Sequence, residues 1–172
     1  MNNAEQIRVR NARTGDIAAV ATLMQPLVEQ RILLGKDLVE LYRAVPELMV
    51  AVDADDRVIG YGALHVMWEH LGEVRTLGVA EGWLGRGVGH RLLDALEAHA
   101  IELGLTQLFC LTFETEFFSR HGFESVGEDA QLVEAEVYAE LLRSTDEGVA
   151  EFLDLARVKP NTLGNTRMLK RL

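Results

Sequence analysis

The sequence predicts a single α/β or α+β sandwich domain. Three observations predict it: apolar residues alternate between strand and helix periodicity, 48% of the 172 residues are hydrophobic, and only three are proline. The predicted order is strand, two helices, an antiparallel run of strands, helix, strand, helix and a tail. No repeat or linker interrupts this order. We therefore expect residues 1–172 to form one domain, in which residues 156–172 are a C-terminal segment.

The chain begins with a strand and two helices. Residues 7–10 alternate as in a strand, and the apolar residues of 17–29 recur with helical spacing. Thr14 and Asp16 precede that helix and offer the side chains that cap helix N-termini. A second, shorter helix is predicted for residues 37–45.

Three strands follow. Residues 48–52 and 58–66 form apolar runs, and the acidic turn at 53–56 predicts that they pair as a hairpin. The next strand-like run, 72–79, ends just before a glycine-dense segment. This part of the chain therefore predicts an antiparallel sheet.

The second half alternates helix and strand. A long amphipathic helix spans 88–103, with Gly104 as its C-cap, and 108–113 reads as a buried strand. A short helix through Phe117 and Phe118 ends at Gly122. The acidic stretch beyond it is predicted to be partly helical, and residues 158–172 to begin as a loop and end as a strand.

Charge and cysteine content limit the function. The net charge of −10 argues against nucleic-acid binding. Residues 124–154 hold ten acids and one base, whereas five bases and no acids follow Asp154. This basic tail is either a solvated end or a segment that binds a carboxylate. Cys110 is the single cysteine, and no basic-then-apolar leader or long apolar run appears, so we expect a cytoplasmic protein.

The segment Gly85-Arg86-Gly87-Val88-Gly89-His90 stands between a predicted strand and a predicted helix. Backbone N–H groups in such a turn, with the positive end of the helix, favour an anion. The segment lacks the lysine of a Walker loop and the third glycine of a dinucleotide fingerprint. It predicts a site for a phosphorylated ligand, with an ordinary helix-opening turn as the alternative.

Two motifs resemble those of the Gcn5-related N-acetyltransferases (GNAT). Their loop reads Arg/Gln-x-x-Gly-x-Gly/Ala, and here Leu84 stands first, followed by Gly87 and Gly89. Residues 117–123 resemble the family's Phe-Tyr-x-x-x-Gly-Phe motif. The resemblance implies a GNAT fold, a mixed and mostly antiparallel sheet with helices on both faces, and acetyl-CoA as co-substrate.

Four further segments resemble the short bacterial amino-acid N-acetyltransferases, the stand-alone N-acetylglutamate synthases of arginine biosynthesis. These segments are residues 32–36, 72–75, 111–118 and 159–169. This resemblance covers about 7–172 and includes the tail, which generic acetyltransferases lack. It implies that the C-terminal segment closes the substrate site.

The resemblance places acetyl-CoA on the glycine loop and the strand before it. Because Leu84 has no cationic or amide side chain, phosphate binding rests on backbone N–H groups, helped by Arg86, His90 or Arg91. Backbone groups of the strand pair with the pantetheine arm in this family. The implied cofactor-binding residues are Leu77, Gly78, Val79, Leu84, Gly85, Arg86, Gly87, Val88, Gly89, His90 and Phe118.

Glu73 is the candidate general base. It lies on the strand before the loop, where the family often places a glutamate that takes the amine proton, usually through water. Alternation predicts that it shares a face with Arg75, Leu77 and Val79. The alternative is a carboxylate that pairs with Arg75 or another cation.

The general acid is less evident. Phe118 stands where the family commonly has a tyrosine acid, and its benzyl group has no proton to give. Thr112, at the end of its strand, is the candidate, Ser119 is weaker, and an ordinary strand threonine is the alternative. Cys110 lies between apolar neighbours and is interpreted as a core thiol. The five histidines show no metal-ligand spacing, so we expect no metal.

An amino-acid substrate with two carboxylates needs cations or polar donors. Arg75 and the tail's Lys159 are candidates, and the resemblance places the loop through Leu34 and Lys36 near the amino acid. The candidates at the start of the last strand are Asn165, Thr166 and Arg167. Solvated or ion-paired roles are the alternatives for Arg75, Lys159 and Arg167.

The sequence therefore predicts an enzyme that acetylates the α-amine of L-glutamate by direct attack in a ternary complex. From the family resemblance we also expect a homodimer, without nucleic-acid or membrane partners. Glutamine, another amino acid or a polyamine is the alternative substrate. A CoA-binding regulatory module without turnover is the alternative of a different class.

Overall fold

The computed structural model describes residues 6–33, 35–127, 130–153 and 164–172. Within these ranges the strands are β1 (Arg8–Asn11), β2 (Leu48–Val52), β3 (Val58–Val66), β4 (Leu71–Val79), β5 (Gln107–Thr112), β6 (Glu124–Ser125) and β7 (Thr166–Arg171). The α-helices are α1 (Ile17–Glu29), α2 (Leu38–Arg43), α3 (Val88–Glu102), α4 (Thr115–Arg120), α5 (Ala135–Leu141) and α6 (Glu147–Phe152). The hydrogen-bonded strand order is β1-β2-β3-β4-β5-β7-β6. The α/β prediction is therefore confirmed.

The chain divides into two compact units. The first comprises residues 1–65 and 74–103, and the second comprises residues 66–73 and 104–172, each within the described ranges. Strand β4 contributes its beginning to the second unit and its remainder to the first.

In the first unit, β2 pairs antiparallel with both β1 and β3. Successive β2 side chains enter different cores because strand residues alternate between faces. Val50 packs with Ile17 and Tyr61, whereas its neighbour Ala51 packs with Leu92. Helices α1 and α2 thus cover one core and α3 the other.

In the second unit, β5 pairs parallel with the start of β4 and antiparallel with β7 along its whole length. Phe109 of β5 and Phe152 of α6 form the centre of its core, with rings edge to face and centroids 4.8 Å apart. Leu71 and residues of α5 pack around this pair. The pairing fixes the start of β7, where the candidate substrate residues lie.

Most elements were predicted closely. Helix α1 and strands β2 and β3 have the predicted bounds. The predicted helix at 37–45 is shorter: α2 ends at Arg43, and Val45–Glu47 forms a 3-10 turn. Pro46 explains the break, since it has no backbone N–H and its ring disfavours α geometry in the preceding residue. The two-residue strand β6 was not predicted.

The predicted capping of α1 was correct in its position and wrong in its hydrogen bonds. Asp16 is the N-cap residue of α1, but in the described chain its side chain makes no capping hydrogen bond to that helix, and Thr14 and Asp16 belong to a 3-10 turn before it. The Asp16 carboxylate instead accepts two hydrogen bonds from the Arg10 guanidinium, at 2.7 and 3.0 Å, and one from the backbone N–H of Arg13. A nearby guanidinium competes successfully for a carboxylate that would otherwise cap a helix. None of the helices in the described ranges has the length and hydropathy needed to cross a lipid bilayer.

Candidate active site

The glycine loop lies in the first unit and opens α3. Gly85 and Gly87 have φ of 73° and 79°, the left-handed region that favours glycine, and Gly87 directly precedes the helix. Within the described chain no side chain caps this end of α3. The first N–H groups of a helix have no partner inside it, so they carry partial positive charge toward the loop. The loop thus has the geometry of an anion site.

The side chains around the loop differ in what they can offer. Leu84 is exposed, and the Arg86 guanidinium lies over the Trp83 ring, 5.1 Å from its centroid. His90 is exposed, whereas Arg91 donates a hydrogen bond to the backbone oxygen of Ile7 at 3.2 Å. Of the two arginines, Arg86 is therefore the better placed cation, since Arg91 donates to the Ile7 backbone.

Val88 and Gly89 differ in their exposure. The Val88 side chain is 1% exposed and packs in the core with Ile7 and Leu92. Gly89 is half-buried in the first turn of α3. Only backbone groups of Val88 can face a ligand, as the sequence argument required.

Strand β4 contains a break in its extended backbone. Thr76 has a φ of 58°, which is unusual for a β-branched residue and costs about 1–3 kcal/mol. Leu77 and Val79 pack in the core that contains Val88. Alternation requires every intervening residue to be extended, so Thr76 interrupts the pattern on which the common face with Glu73 was based, and that common face stays a prediction.

Glu73 lies in the second unit and is 4% exposed. It is in register with Phe109 on the parallel strand β5. Burial raises the pKa of the neighbouring Cys110 thiol, and the charge of Glu73 raises it further. Cys110 is 1% exposed, so its interpretation as a core thiol is confirmed, and it stays protonated at neutral pH.

Thr112 and Phe118 occupy different environments. Thr112 is 8% exposed, and its Oγ1 accepts a hydrogen bond from the backbone N–H of Glu114 at 2.8 Å. The hydroxyl proton is not used in that bond and can be donated. The Phe118 ring is buried edge to face against Phe117 and Phe123, which makes it a core residue. Ser119 is exposed on α4.

The candidate substrate residues fall in both units. Lys36 is half-buried between α1 and α2, and Arg75 is half-buried on β4. Leu34, Lys159 and residues 156–163 of the C-terminal segment lie outside the described residues.

Three candidates of the second unit stand together at the start of β7. Thr166 is in register with Thr112, and the buried Oδ1 of Asn165 has no hydrogen-bond partner among the described residues. Arg167 donates a hydrogen bond to the Phe152 backbone oxygen at 2.7 Å, with its guanidinium 5.6 Å from the Phe109 ring centroid. The start of β7 thus pairs Thr166 with Thr112, and the buried Asn165 oxygen beside it has no donor among the described residues.

Two features of the site were not found in the sequence. The stacking of Arg86 on Trp83 is a local contact that the spacing of three residues permits but does not require. The contact between Tyr61 and Gly78 depends on the register of two strands, which periodicity does not reveal. In the described ranges, no three His, Cys, Asp or Glu side chains are grouped as metal ligands would be.

Comparison with known proteins identifies the class. Residues 19–127 match the model of the acetyltransferase (GNAT) family. The chain is 52% identical to an amino-acid acetyltransferase of Mycobacterium tuberculosis over 163 residues, which cover 94% of this chain and 92% of that protein. The chain therefore belongs to the GNAT acetyltransferase family.

Other relatives are longer. The chain is 34% identical to an amino-acid acetyltransferase of Neisseria meningitidis over 125 residues, and this match spans 28% of that protein's length. The match covers 72% of this chain.

Solved structures agree on the fold. Rv2747 of Mycobacterium tuberculosis, in complex with CoA and NLQ, matches with a TM-score of 0.92 and 51% identity, covering 96% of this chain and 99% of that one. N-acetylglutamate synthase of Neisseria gonorrhoeae, complexed with coenzyme A and N-acetyl-glutamate, matches with a TM-score of 0.76 and 26% identity. That match covers 96% of this chain and 35% of the synthase chain.

Proposed function

We propose that this protein transfers the acetyl group of acetyl-CoA to the α-amine of L-glutamate. The observation that carries the proposal is the Gly85–Gly89 loop at the open end of α3, in a chain with 52% identity to an amino-acid acetyltransferase over nearly its whole length. Two relatives of known structure contain CoA, one with NLQ and the other with N-acetyl-glutamate, which supports an amino-acid acceptor. The reaction would supply arginine biosynthesis in the cytoplasm, and the enzyme would act as a homodimer.

Backbone groups would bind most of acetyl-CoA. The N–H groups of residues 85–89 would receive the diphosphate, and Arg86, preorganised on Trp83, would supply a cation in place of the arginine or glutamine that Leu84 lacks. Leu77, Gly78 and Val79 would pair with the pantetheine arm through their main chain. The Phe118 side chain would offer the coenzyme no hydrogen bond, because its ring is buried against Phe117 and Phe123.

Transfer requires a neutral amine and a proton for the departing thiolate. Glu73 would accept the proton from the amine, directly or through water, and Thr112 would return one to the coenzyme's sulfur. The amine attacks the thioester carbon, and the C–S bond breaks as the tetrahedral intermediate collapses. Cys110 is too buried and too weakly acidic to form an acyl-enzyme, which supports direct attack by the amine.

Cations and polar groups would hold the two carboxylates of the amino acid. Lys36, Arg75 and Arg167 are the cations proposed for this role, and Thr166 is the proposed polar group. Leu34 is proposed to contact the amino acid without binding a carboxylate through its side chain. The buried Asn165 oxygen, without a partner among the described residues, would accept an N–H from the substrate. Each charge-assisted bond contributes about 1.5–3 kcal/mol.

The test measures CoA thiol release from acetyl-CoA with a panel of glutamate, glutamine, other amino acids and polyamines. Release with glutamate above all other amines supports the proposal. A preference for glutamine would leave the enzyme class unchanged and replace the proposed acceptor. Release with polyamines alone would overturn the proposal that Lys36, Arg75 and Arg167 bind the carboxylates of an amino acid. Acetyl-CoA binding without release for any amine would identify a regulatory module.

A further inference from the structure

The hydroxyl of Tyr61 is a buried polar group whose partner is missing from the described chain. Tyr61 lies on β3 in the first unit, is 0% exposed, and its ring packs in the core with Ile17 and Leu41. No described residue forms a hydrogen bond with its hydroxyl oxygen. Buried tyrosine hydroxyls normally have a partner, and an unpaired one destabilises the fold. This hydroxyl therefore requires a further explanation.

The position of the hydroxyl supplies one. It lies against the backbone of Gly78 on β4, so close that a Cβ at position 78 would approach both the hydroxyl oxygen and Cζ to well under 3.0 Å. Glycine at position 78 thus leaves the phenol tip directly against the main chain of that residue. That main chain is the part of β4 to which we assign the pantetheine arm.

The chemistry of the group fits a carbonyl acceptor. Burial raises the pKa of the Tyr61 phenol, so the group is neutral and keeps its proton at physiological pH. A neutral phenol donates its O–H readily, and acetyl-CoA presents carbonyl oxygens in the two amides of its arm and in the thioester. A ligand carbonyl would recover the hydrogen bond that the fold leaves unmade.

We infer that Tyr61 is a positioning residue that donates a hydrogen bond to a carbonyl oxygen of acetyl-CoA bound along β4. The inference rests on the proposed function, because it requires acetyl-CoA on this strand. It assigns a role to a side chain outside both family motifs.

The test compares Tyr61→Phe with the wild type and with Tyr42→Phe, a control whose tyrosine is 49% exposed on α2. We expect Y61F to unfold at the same or a higher Tm without ligand, because it loses an unpaired buried hydroxyl. Its Kd for acetyl-CoA, measured by calorimetry, should rise about fivefold to tenfold, and the rise in Tm caused by saturating acetyl-CoA should shrink accordingly. Y42F should match the wild type in both measurements.

Binding of CoA alone locates the acceptor. An equal loss for CoA and acetyl-CoA places the hydrogen bond on an amide of the arm, and a loss for acetyl-CoA alone places it on the thioester. Unchanged affinity of Y61F for both ligands overturns the inference, whether its Tm without ligand falls or stays the same. In either case wild-type turnover would leave the proposed function standing, whereas a wild type that binds no acetyl-CoA would overturn both.

Discussion

The hydroxyl of Tyr61 occupies the space in which a side chain at position 78 would begin. Gly78→Ala should therefore destabilise the protein by at least about 1–3 kcal/mol, the usual cost of overpacking a core. Urea unfolding measures the free energy directly. Because the clash involves one ring, the same substitution should cost less in a Tyr61→Ala background.

Gly82→Ala is the matched control for this prediction. A Cβ at Gly82 meets no described atom within 4 Å, and its backbone is outside the left-handed region. Its change in free energy should stay within about 0.5 kcal/mol. Equal costs for G78A in the two backgrounds would show that Tyr61 is not the obstacle.

Local patterns predicted most of the fold, whereas long-range register set the details of the site. The apolar periodicity of α1, β2 and β3 depends only on residues that are close together in the sequence, so the bounds of these elements were predictable. The left-handed Thr76 was not predictable, since nothing in its neighbours requires that conformation. It interrupts the alternation on which the predicted common face of Glu73 and Leu77 was based.

The site shows the same division. The glycine loop could be predicted because closely spaced glycines between a strand and a helix indicate a tight turn. The positive φ of Gly85 and Gly87 agrees with that prediction. The anchoring of Arg167 on Phe152 depends on how β7 pairs with β5, which a single sequence does not specify. The catalytic roles of Glu73 and Thr112 stay predictions that require the following measurements.

Glu73→Gln should reduce kcat by about 10²–10⁴ and leave the Kd for acetyl-CoA unchanged. The amide keeps the size of the buried side chain but does not take a proton from the amine. Steady-state kinetics at neutral pH and calorimetry provide the two values. Glu69→Gln, at an exposed position of the same unit, should retain full turnover. Full turnover by E73Q would exclude Glu73 as the base.

Thr112→Val should lower kcat by about 10²–10⁴ if Thr112 supplies the leaving-group proton, and Thr112→Ser should retain most of it. Both the chemistry and the hydrogen bond from the Glu114 N–H need a hydroxyl. Loss of that bond should also cost about 1–3 kcal/mol in T112V, measured by urea unfolding. If Ser119→Ala rather than T112V abolishes turnover, the proton comes from Ser119.

Arg167→Met should raise the KM for the amino acid about tenfold or more and also destabilise the protein. The guanidinium contributes charge to a carboxylate and donates to the Phe152 oxygen, which would lose that donor. The KM of Arg167→Lys should lie between those of the wild type and R167M. Lysine keeps the positive charge but lacks the paired N–H donors of a guanidinium. Arg171→Met, at an exposed position of β7, is the control. A change in stability without a change in KM would assign Arg167 to the fold alone.

Asp16→Asn should destabilise the protein at pH 7 by about 1–3 kcal/mol, because the Arg10 guanidinium donates to both carboxylate oxygens. Those bonds hold the pKa of Asp16 below its ordinary value, and the side chain is only 11% exposed. A lowered pKa in the folded state means that the unfolded chain binds this proton more readily. The contribution is thus fully present above the ordinary aspartate pKa of about 3.9 and is lost as pH falls through the lower, folded value.

Urea unfolding of the wild type and D16N between pH 2.5 and 7 checks the sign. The difference in free energy should be largest above about pH 5 and shrink steadily toward pH 2.5. Asp55→Asn, whose side chain is 69% exposed beside Arg57, should differ little from the wild type throughout. A wild-type advantage over D16N that stays constant across this range would show that shape, rather than the charge of Asp16, stabilises the start of α1.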